Sequence, residues 1–147
     1  MIASTTQLNT PGSVLAAMPG VHGLTDVTGF GLLGHLLEIC RGSKLAADIE
    51  FDRLALLPAA LDLAKQGYAT GAAARNWESY GHEVSLPAAM PEWQKGMLCD
   101  PQTSGGLLVS CAQEDVESVL EVFNQQGFGY ASVIGSLHSG KPGISVK

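Results

Sequence analysis

An apolar stripe between residues 30 and 40 constrains the fold of this chain more than any other feature. Apolar side chains recur there every three or four positions, at Phe30, Leu33, Leu36, Leu37 and Cys40. This spacing places them on one face of an α-helix, and such a face is normally buried against another element. Arg41 and Gly42 then supply a basic last turn and a glycine stop, so the sequence predicts a buried helix over residues 30–40.

The other patterns predict short helices and short strands in mixed order. Helical patterns cover residues 13–18, 58–66, 91–97 and 115–126. Strand patterns cover residues 45–51, 106–111 (a buried strand), 131–137 and 144–146 (an edge strand). Residues 68–86 have no sustained period and are predicted to form a long, functional or mobile loop. Because helices and strands do not alternate strictly, we expect one α+β domain over residues 1–147, with helices on a mixed sheet.

The composition argues against several classes of protein. Hydrophobic residues make up 46% of the 147 residues, which is typical of a chain with a folded core. The formal net charge is −6, with eight Lys and Arg residues, which disfavours nucleic acid and an anionic membrane as partners. The longest apolar runs are too short to cross a bilayer. A polyanionic ligand is compatible with this charge when a metal ion or backbone N–H groups attract it.

The cysteines and the first twelve residues indicate the cellular compartment of the protein. The three cysteines lie far apart and form no C-x-x-C pair, which argues against a zinc knuckle and a thioredoxin-like motif. An odd cysteine count without a signal peptide is expected in the reducing cytoplasm. The polar residues 1–12 lack the features of a targeting peptide and end in the breaker pair Pro11-Gly12. We therefore expect a domain that begins in the middle of a longer chain.

The string TDVTGFG, residues 25–31, leads directly into the predicted helix. Thr28 has the chemistry of an N-cap, and Gly29 and Gly31 allow a tight turn or a close approach of the backbone to a neighbour. Free N–H groups at a helix start attract anions, and Mg²⁺ would bring the Asp26 carboxylate and a phosphate together. The pattern indicates either a metal–nucleotide phosphate site or an ordinary turn and cap.

The string LCDPQTSGGLLVS, residues 98–110, is a second glycine-rich candidate. Asp100 and Pro101 are turn residues, and the hydroxyl-rich turn at residues 103–106 leads into the predicted strand. Successive N–H groups in such a turn can bind an anion, but the turn can equally serve to fix the entry of the strand. The Gly-Lys-Ser/Thr element of a Walker A motif is missing.

The string GAAARNWESYGH, residues 71–82, is a third candidate. Arg75 is suited to a phosphate or carboxylate, and Asn76 to a hydrogen bond with a polar ligand. Trp77 and Tyr80 would either stack on a base or pack in the core. The alternative is a solvated loop that holds two packed aromatic side chains.

The cysteines and histidines have no predicted chemical role. Cys99 lies beside Asp100 without a cation to lower the pKa of its thiol, so it is not a candidate nucleophile. Cys40 and Cys111 are expected in the core. His35 falls on the polar side of the predicted helix, where a surface or packing role is expected.

Two of these strings together closely resemble one enzyme family. TDVTGFGLLGHL (residues 25–36) and LCDPQTSGGLLV (residues 98–109), in this order and at this separation, resemble selenophosphate synthetase, or selenide, water dikinase. RNWESYGH (residues 75–82) resembles a third, weaker block of that family. Shorter forms of the first two recur in aminoimidazole ribonucleotide synthetase and the hydrogenase-maturation dehydratases. The resemblance runs from about residue 8 to residue 147 and concerns the C-terminal domain.

The resemblance implies a fold and an activity. The implied fold is the three-layer α/β/α domain of the aminoimidazole ribonucleotide synthetase C-terminal type, whose mixed sheet has partial ferredoxin-like topology. The full cytoplasmic enzyme would convert ATP, selenide and water into selenophosphate, AMP and phosphate. Its N-terminal domain, which is expected to be absent from this chain, would carry the catalytic Cys (or selenocysteine) and Lys and most of the aspartates that bind Mg²⁺, and it would form the homodimer. ATP would lie in the cleft between the domains, so this chain is expected to be inactive alone.

The resemblance also implies roles for individual residues, none of them catalytic. Asp26 matches the one metal-binding aspartate that the C-terminal domain contributes. The expected nucleotide-site residues are Thr25, Thr28, Gly29, Gly31, Arg75, Asn76, Asp100, Thr103, Ser104, Gly105 and Gly106.

One departure from the family keeps a second function open. The family usually has a Gly-Gly-Thr-like segment before the Arg-Asn pair, whereas here Ala72 and Ala73 follow Gly71. This change removes a hydroxyl and a flexible glycine, and it puts a phosphate role of that segment in question. The alternative is a free-standing, non-catalytic nucleotide-binding or regulatory module of the same fold. A different ATP-dependent synthetase is disfavoured by Phe30 and by the unit CDPQTSGG.

Overall fold

The computed structural model describes residues 5–147, so the first four residues of the polar opening lie outside the described part. Its α-helices are α1 (Pro11–Leu15), α2 (Gly31–Ser43), α3 (Pro58–Lys65), α4 (Gly71–Tyr80), α5 (Glu92–Leu98) and α6 (Val116–Gln125). Its strands are β1 (Val21–Asp26), β2 (Leu45–Ile49), β3 (Val84–Ser85), β4 (Leu107–Cys111), β5 (Gly135–Ser139) and β6 (Gly143–Val146).

The described strands form two sheets. The four-stranded sheet has the order β3-β6-β2-β5, in which β6 runs parallel to β2 and β3 while β5 runs antiparallel to β2. Strands β1 and β4 form a separate antiparallel ribbon. The predicted α+β class with a mixed sheet is confirmed. The prediction that residues 144–146 form an edge strand is wrong, because β6 lies between two other strands.

Helix α2 forms the centre of the larger core. The side chains of Leu33 and Leu37 are fully buried. They cluster with alternate residues of the two inner strands, Ala47, Ile49, Ile144 and Val146. Burial of each leucine stabilises the fold by about 1.5–3 kcal/mol. The stripe is therefore buried from Leu33 to Cys40, as its period predicts. The prediction is wrong for Phe30, which is 57% exposed because it precedes the first turn of the helix.

A smaller core lies on the ribbon. Leu15 of α1 and Val119 and Phe123 of α6 are buried there, against half-buried side chains of β1 and β4 that include Leu24 and Val109. The predicted helix over residues 115–126 is confirmed as α6. These two helices pack against one face of the ribbon. The loops of both glycine-rich strings extend from one end of the ribbon, where β1 ends and β4 begins.

Residues 68–86 do not form the predicted loop, because helix α4 occupies their middle. The Thr70 hydroxyl caps this helix by accepting a hydrogen bond from the Ala73 N–H at 3.2 Å. Ala73 and Tyr80 are buried and Trp77 is half-buried, at helical spacing. The three consecutive alanines favour a helix by propensity, and Ala73 fills a core position.

Several predicted boundaries also move. Pro11 and Gly12 begin α1 instead of breaking the chain, since proline is suited to a first helical turn. Helix α2 continues through Gly42 and ends before Lys44, whose backbone is left-handed with φ of 59°. The strand predicted over residues 131–137 is β5, which begins at Gly135.

The remaining predictions are confirmed with smaller changes. The patterns over residues 58–66 and 91–97 form α3 and α5. Strand β4 is half-buried rather than buried: Leu108 lies in the larger core, while Leu107, Val109 and Cys111 pack, partly buried, against the smaller core. Between residues 5 and 147 no helix has the length and apolar character needed to span a membrane.

Candidate functional site

The two glycine-rich strings meet at one end of the ribbon. Asp26, the last residue of β1, is paired with Leu107, the first residue of β4. Beyond the paired strands, the Val27 N–H donates to the Gly106 carbonyl at 2.9 Å, and the Gln102 N–H donates to the Thr28 carbonyl at 3.0 Å. Residues separated by about 75 positions in the sequence therefore form one continuous backbone surface.

Two of the four candidate glycines are required by this contact between the strings. Gly31 has φ of +67°, and a Cβ there would lie 2.6 Å from the Cys99 carbonyl carbon. A Cβ on Gly105 would overlap the Val27 carbonyl oxygen. Side chains do not fit at either position, so the close approach that glycine was expected to permit is an approach of one string to the other.

Gly29 and Gly106 differ from this pair. A Cβ at either position would meet no atom within 4 Å, and neither residue has a positive φ. Both are exposed. Nothing in the packing of residues 5–147 requires glycine at these two positions, which leaves the backbone open to a ligand.

Asp26 is exposed beside this surface and is suited to a hard cation. Its carboxylate makes no hydrogen bond or ion pair with another residue of the described part. The Thr25 hydroxyl donates to the Asp26 backbone carbonyl at 3.0 Å and leaves the carboxylate free. No cluster of three His, Cys, Asp or Glu that could hold a metal occurs among residues 5–147. Mg²⁺ is commonly held by one or two carboxylates with phosphate and water, so one donor fits a shared site.

Thr28 is not the N-cap that the sequence predicts. The cap position of α2 is Phe30, without a side-chain cap. The Thr28 N–H instead donates to His35 Nε2 at 3.1 Å, and the Thr28 hydroxyl lies 3.0 Å from the same nitrogen. His35 thus holds the loop that follows Asp26, a role that sequence reasoning missed because the contact runs back over seven residues.

The third string reaches the same place through helix α4. The side-chain amide of Asn76 donates to the carbonyls of Gly29 and Cys99, both at 2.9 Å. One turn later, the Tyr80 hydroxyl donates to the Phe30 carbonyl at 2.6 Å. Asn76 therefore lies at the candidate site, but its N–H groups bind backbone.

Other candidate residues lie around this junction. Thr70 Oγ1 donates to Asp100 Oδ1 at 2.8 Å, which ties the start of α4 to the second string. Arg75 is exposed and has no ion pair within the described part. Thr103 and Ser104 are exposed, and Ser104 has a left-handed backbone with φ of 54°. The structure thus brings the two glycine-rich strings and Asn76 together at the end of the ribbon, whereas no hydrogen bond or ion pair of Arg75 with either string is observed among the described residues.

The cysteines are buried to different degrees, and burial raises the pKa of all three thiols. Cys40 and Cys99 are 0% and 1% exposed, while Cys111, which was expected in the core, is half-buried. A buried thiol with a raised pKa is a poor nucleophile. For Cys99 the reason is burial, which outweighs the opposite effect of Lys95 on the pKa, a cation that was not predicted near this thiol from the sequence.

This burial predicts the order of thiol modification. With Ellman's reagent at pH 8, Cys111 should react first, and Cys40 and Cys99 should react roughly 100-fold more slowly because they require opening of the core. A Cys111→Ser variant should lose the fast phase. Retention of the fast phase in that variant would contradict the burial of the other two thiols.

Comparisons with known proteins identify the family of this chain. Residues 6–147 match the family described as AIR synthase related protein, C-terminal domain. The chain belongs to this family.

The chain is also similar to several proteins named selenide, water dikinase. It is 54% identical to that of Pseudomonas straminea and 53% identical to that of Dechloromonas aromatica, over 99% of this chain in both cases. It spans 41% and 42% of the length of these two relatives. The structure of E. coli HypE, a hydrogenase maturation protein, has the same fold, with a TM-score of 0.55 and 17% identity over 91% of this chain and 33% of that chain.

Proposed function

We propose that the chain is the C-terminal, ATP-cleft domain of a selenide, water dikinase. The full cytoplasmic enzyme would convert ATP, selenide and water into selenophosphate, AMP and phosphate. The observation that carries the proposal is the meeting of the three strings around the exposed Asp26 carboxylate. The identity of 54% with a protein of that name supports the choice of reaction.

Asp26 would contribute one ligand of a Mg²⁺ ion that also binds the phosphates of ATP. When bound, the ion would neutralise negative charge on the phosphate oxygens. This attraction is needed because the chain has a net charge of −6. The open backbone at Gly29 and Gly106, the hydroxyls of Thr103 and Ser104, and the exposed Arg75 would border the phosphates.

The catalytic groups would belong to an N-terminal domain. Burial raises the pKa of all three thiols and shields Cys40 and Cys99 from a substrate, which supports a nucleophile outside residues 5–147. That domain would close the cleft over ATP, supply the other Mg²⁺ ligands and form the homodimer. The isolated chain would be inactive. The alternative of a stand-alone module loses its main argument, because Ala73 is a buried core residue of α4.

A chimeric enzyme tests this proposal. The matching segment of the Pseudomonas straminea selenide, water dikinase is replaced by this chain, and AMP release is measured with and without selenide. We expect selenide-dependent AMP release within about tenfold of the parent rate, since the two segments are 54% identical. A stable, dimeric chimera without selenide-dependent turnover would contradict the proposal.

A further inference from the structure

The Asn76 side chain contacts both glycine-rich strings. Its carboxamide nitrogen is 2.9 Å from the Gly29 carbonyl and 2.9 Å from the Cys99 carbonyl. Because both neighbours are acceptors, the NH₂ group must face them, and each of its hydrogens has one partner. These two bonds join the loop after β1 to the end of α5.

Tyr80 extends this connection from the next turn of the same helix. Residues four apart share one helix face, which places Asn76 and Tyr80 side by side. The Tyr80 hydroxyl donates to the Phe30 carbonyl, and its ring lies close to Gly34 of α2. Together, the two side chains bind consecutive carbonyls at the start of α2, where the cap residue supplies no side-chain bond.

The hydrogen bonds of Asn76 and Tyr80 join segments whose positions are fixed by the main core. Tyr80 is 5% exposed and Cys99 is 1% exposed, so the joined segments lie at the boundary of the main core. The loops themselves share only two backbone hydrogen bonds beyond the paired strands, Val27 to Gly106 and Gln102 to Thr28. Helix α4 therefore supplies three further bonds, and without them the distance between the strings would be less fixed.

We propose that Asn76 is a positioning residue, which with Tyr80 sets the spacing of the two strings and thereby the shape of the nucleotide-phosphate site. This inference rests on the proposed function and deepens it. Asn76 Oδ1 has no donor within residues 5–147, so the side chain binds backbone through nitrogen and leaves its oxygen open. The role differs from a direct hydrogen bond to a polar ligand, which the sequence predicted for this residue.

Hydrogen exchange of the 147-residue chain gives the first test. Asn76→Asp keeps the shape of the side chain and removes both donors, whereas Ser79→Ala changes an exposed residue of the same helix. We expect peptides covering residues 25–31 and 100–106 to exchange roughly tenfold faster in Asn76→Asp and unchanged in Ser79→Ala, because two hydrogen bonds are lost. Unchanged exchange in Asn76→Asp would overturn the proposal; if that variant unfolds, Asn76→Ala and Tyr80→Phe replace it.

Kinetics of the chimera separate positioning from general stability. Val119→Ala, in the smaller core, serves as a control that destabilises the fold at the paired strands of the ribbon rather than at the turns of the two strings. Asn76→Asp should raise the KM for ATP at saturating Mg²⁺ roughly tenfold, while Val119→Ala should leave it unchanged. Equal KM values in both variants would overturn the positioning role. An inactive unsubstituted chimera would contradict the proposed function instead, and the exchange rates would still decide the role of Asn76.

Discussion

Asp26→Asn in the chimeric enzyme should lower selenide-dependent AMP release by roughly 100-fold or more, because the amide cannot neutralise a cation beside the phosphates. The free energy of unfolding should hardly change. The Asp26 side chain is exposed and makes no hydrogen bond or ion pair within residues 5–147. We therefore expect Asp26→Asn to lose selenide-dependent AMP release while its free energy of unfolding stays the same.

The control for this variant is Asp52→Asn. Asp52 is also exposed, but it lies in the turn after β2, outside the glycine-rich strings. It should retain full turnover and the same melting temperature. Raising the Mg²⁺ concentration should partly restore Asp26→Asn, since weaker binding of the ion is the expected defect. Near-normal turnover of Asp26→Asn at low Mg²⁺ would show that this carboxylate does not serve the reaction.

Gly105→Ala should destabilise the chain by about 3 kcal/mol or more, whereas Gly106→Ala should cost about 0.5 kcal/mol or less. The added methyl of Gly105→Ala would overlap the Val27 carbonyl oxygen, and a backbone atom cannot move aside as a flexible side chain can. At Gly106 the methyl would meet nothing within 4 Å. Two adjacent glycines of one turn thus have opposite tolerance to the same change.

Urea unfolding followed by circular dichroism measures this difference directly. Gly31→Ala and Gly29→Ala form a second matched pair, since Gly31 has a positive φ and faces Cys99 while Gly29 faces open space. In the chimera, Gly29→Ala and Gly106→Ala should weaken ATP binding without loss of stability, because a methyl would narrow the approach to the backbone. Equal stability of Gly105→Ala and Gly106→Ala would contradict the packing of the two strings.

The sequence predicted the elements that have a strong period. The apolar stripe of α2 and the pattern of α6 each repeat over at least two turns, and both are buried at their centres, whereas Phe30 at the start of the stripe is 57% exposed. Helix α4 was missed because its exposed positions include alanines, which blur the contrast between faces. The combination of Thr70 as a cap and three alanines was the available signal.

The site was predicted in parts, and its assembly was not. Spacing alone cannot show that Asp26 is opposite Leu107, since pairing between distant strands depends on the whole fold. The resemblance to a known family predicted that the strings belong to one site. It could not distinguish Gly105, where packing requires glycine, from Gly106, where packing does not. The hydrogen bonds of Asn76 and His35 with backbone groups could not be predicted from the sequence either. Every residue type except proline offers the same main-chain donor and acceptor, so the identity of the partner residue gives no indication of such a bond.

Calorimetric titration of ATP with Mg²⁺ tests most directly whether the end of the ribbon is half of a shared nucleotide site. It is carried out on the 147-residue chain, on the chimera and on the Asp26→Asn chimera. We expect binding to the chimera, binding weakened roughly tenfold or more by Asp26→Asn, and no measurable binding to the chain alone. Equally tight binding to the chain alone, or binding to the chimera that does not depend on Asp26, would contradict this expectation.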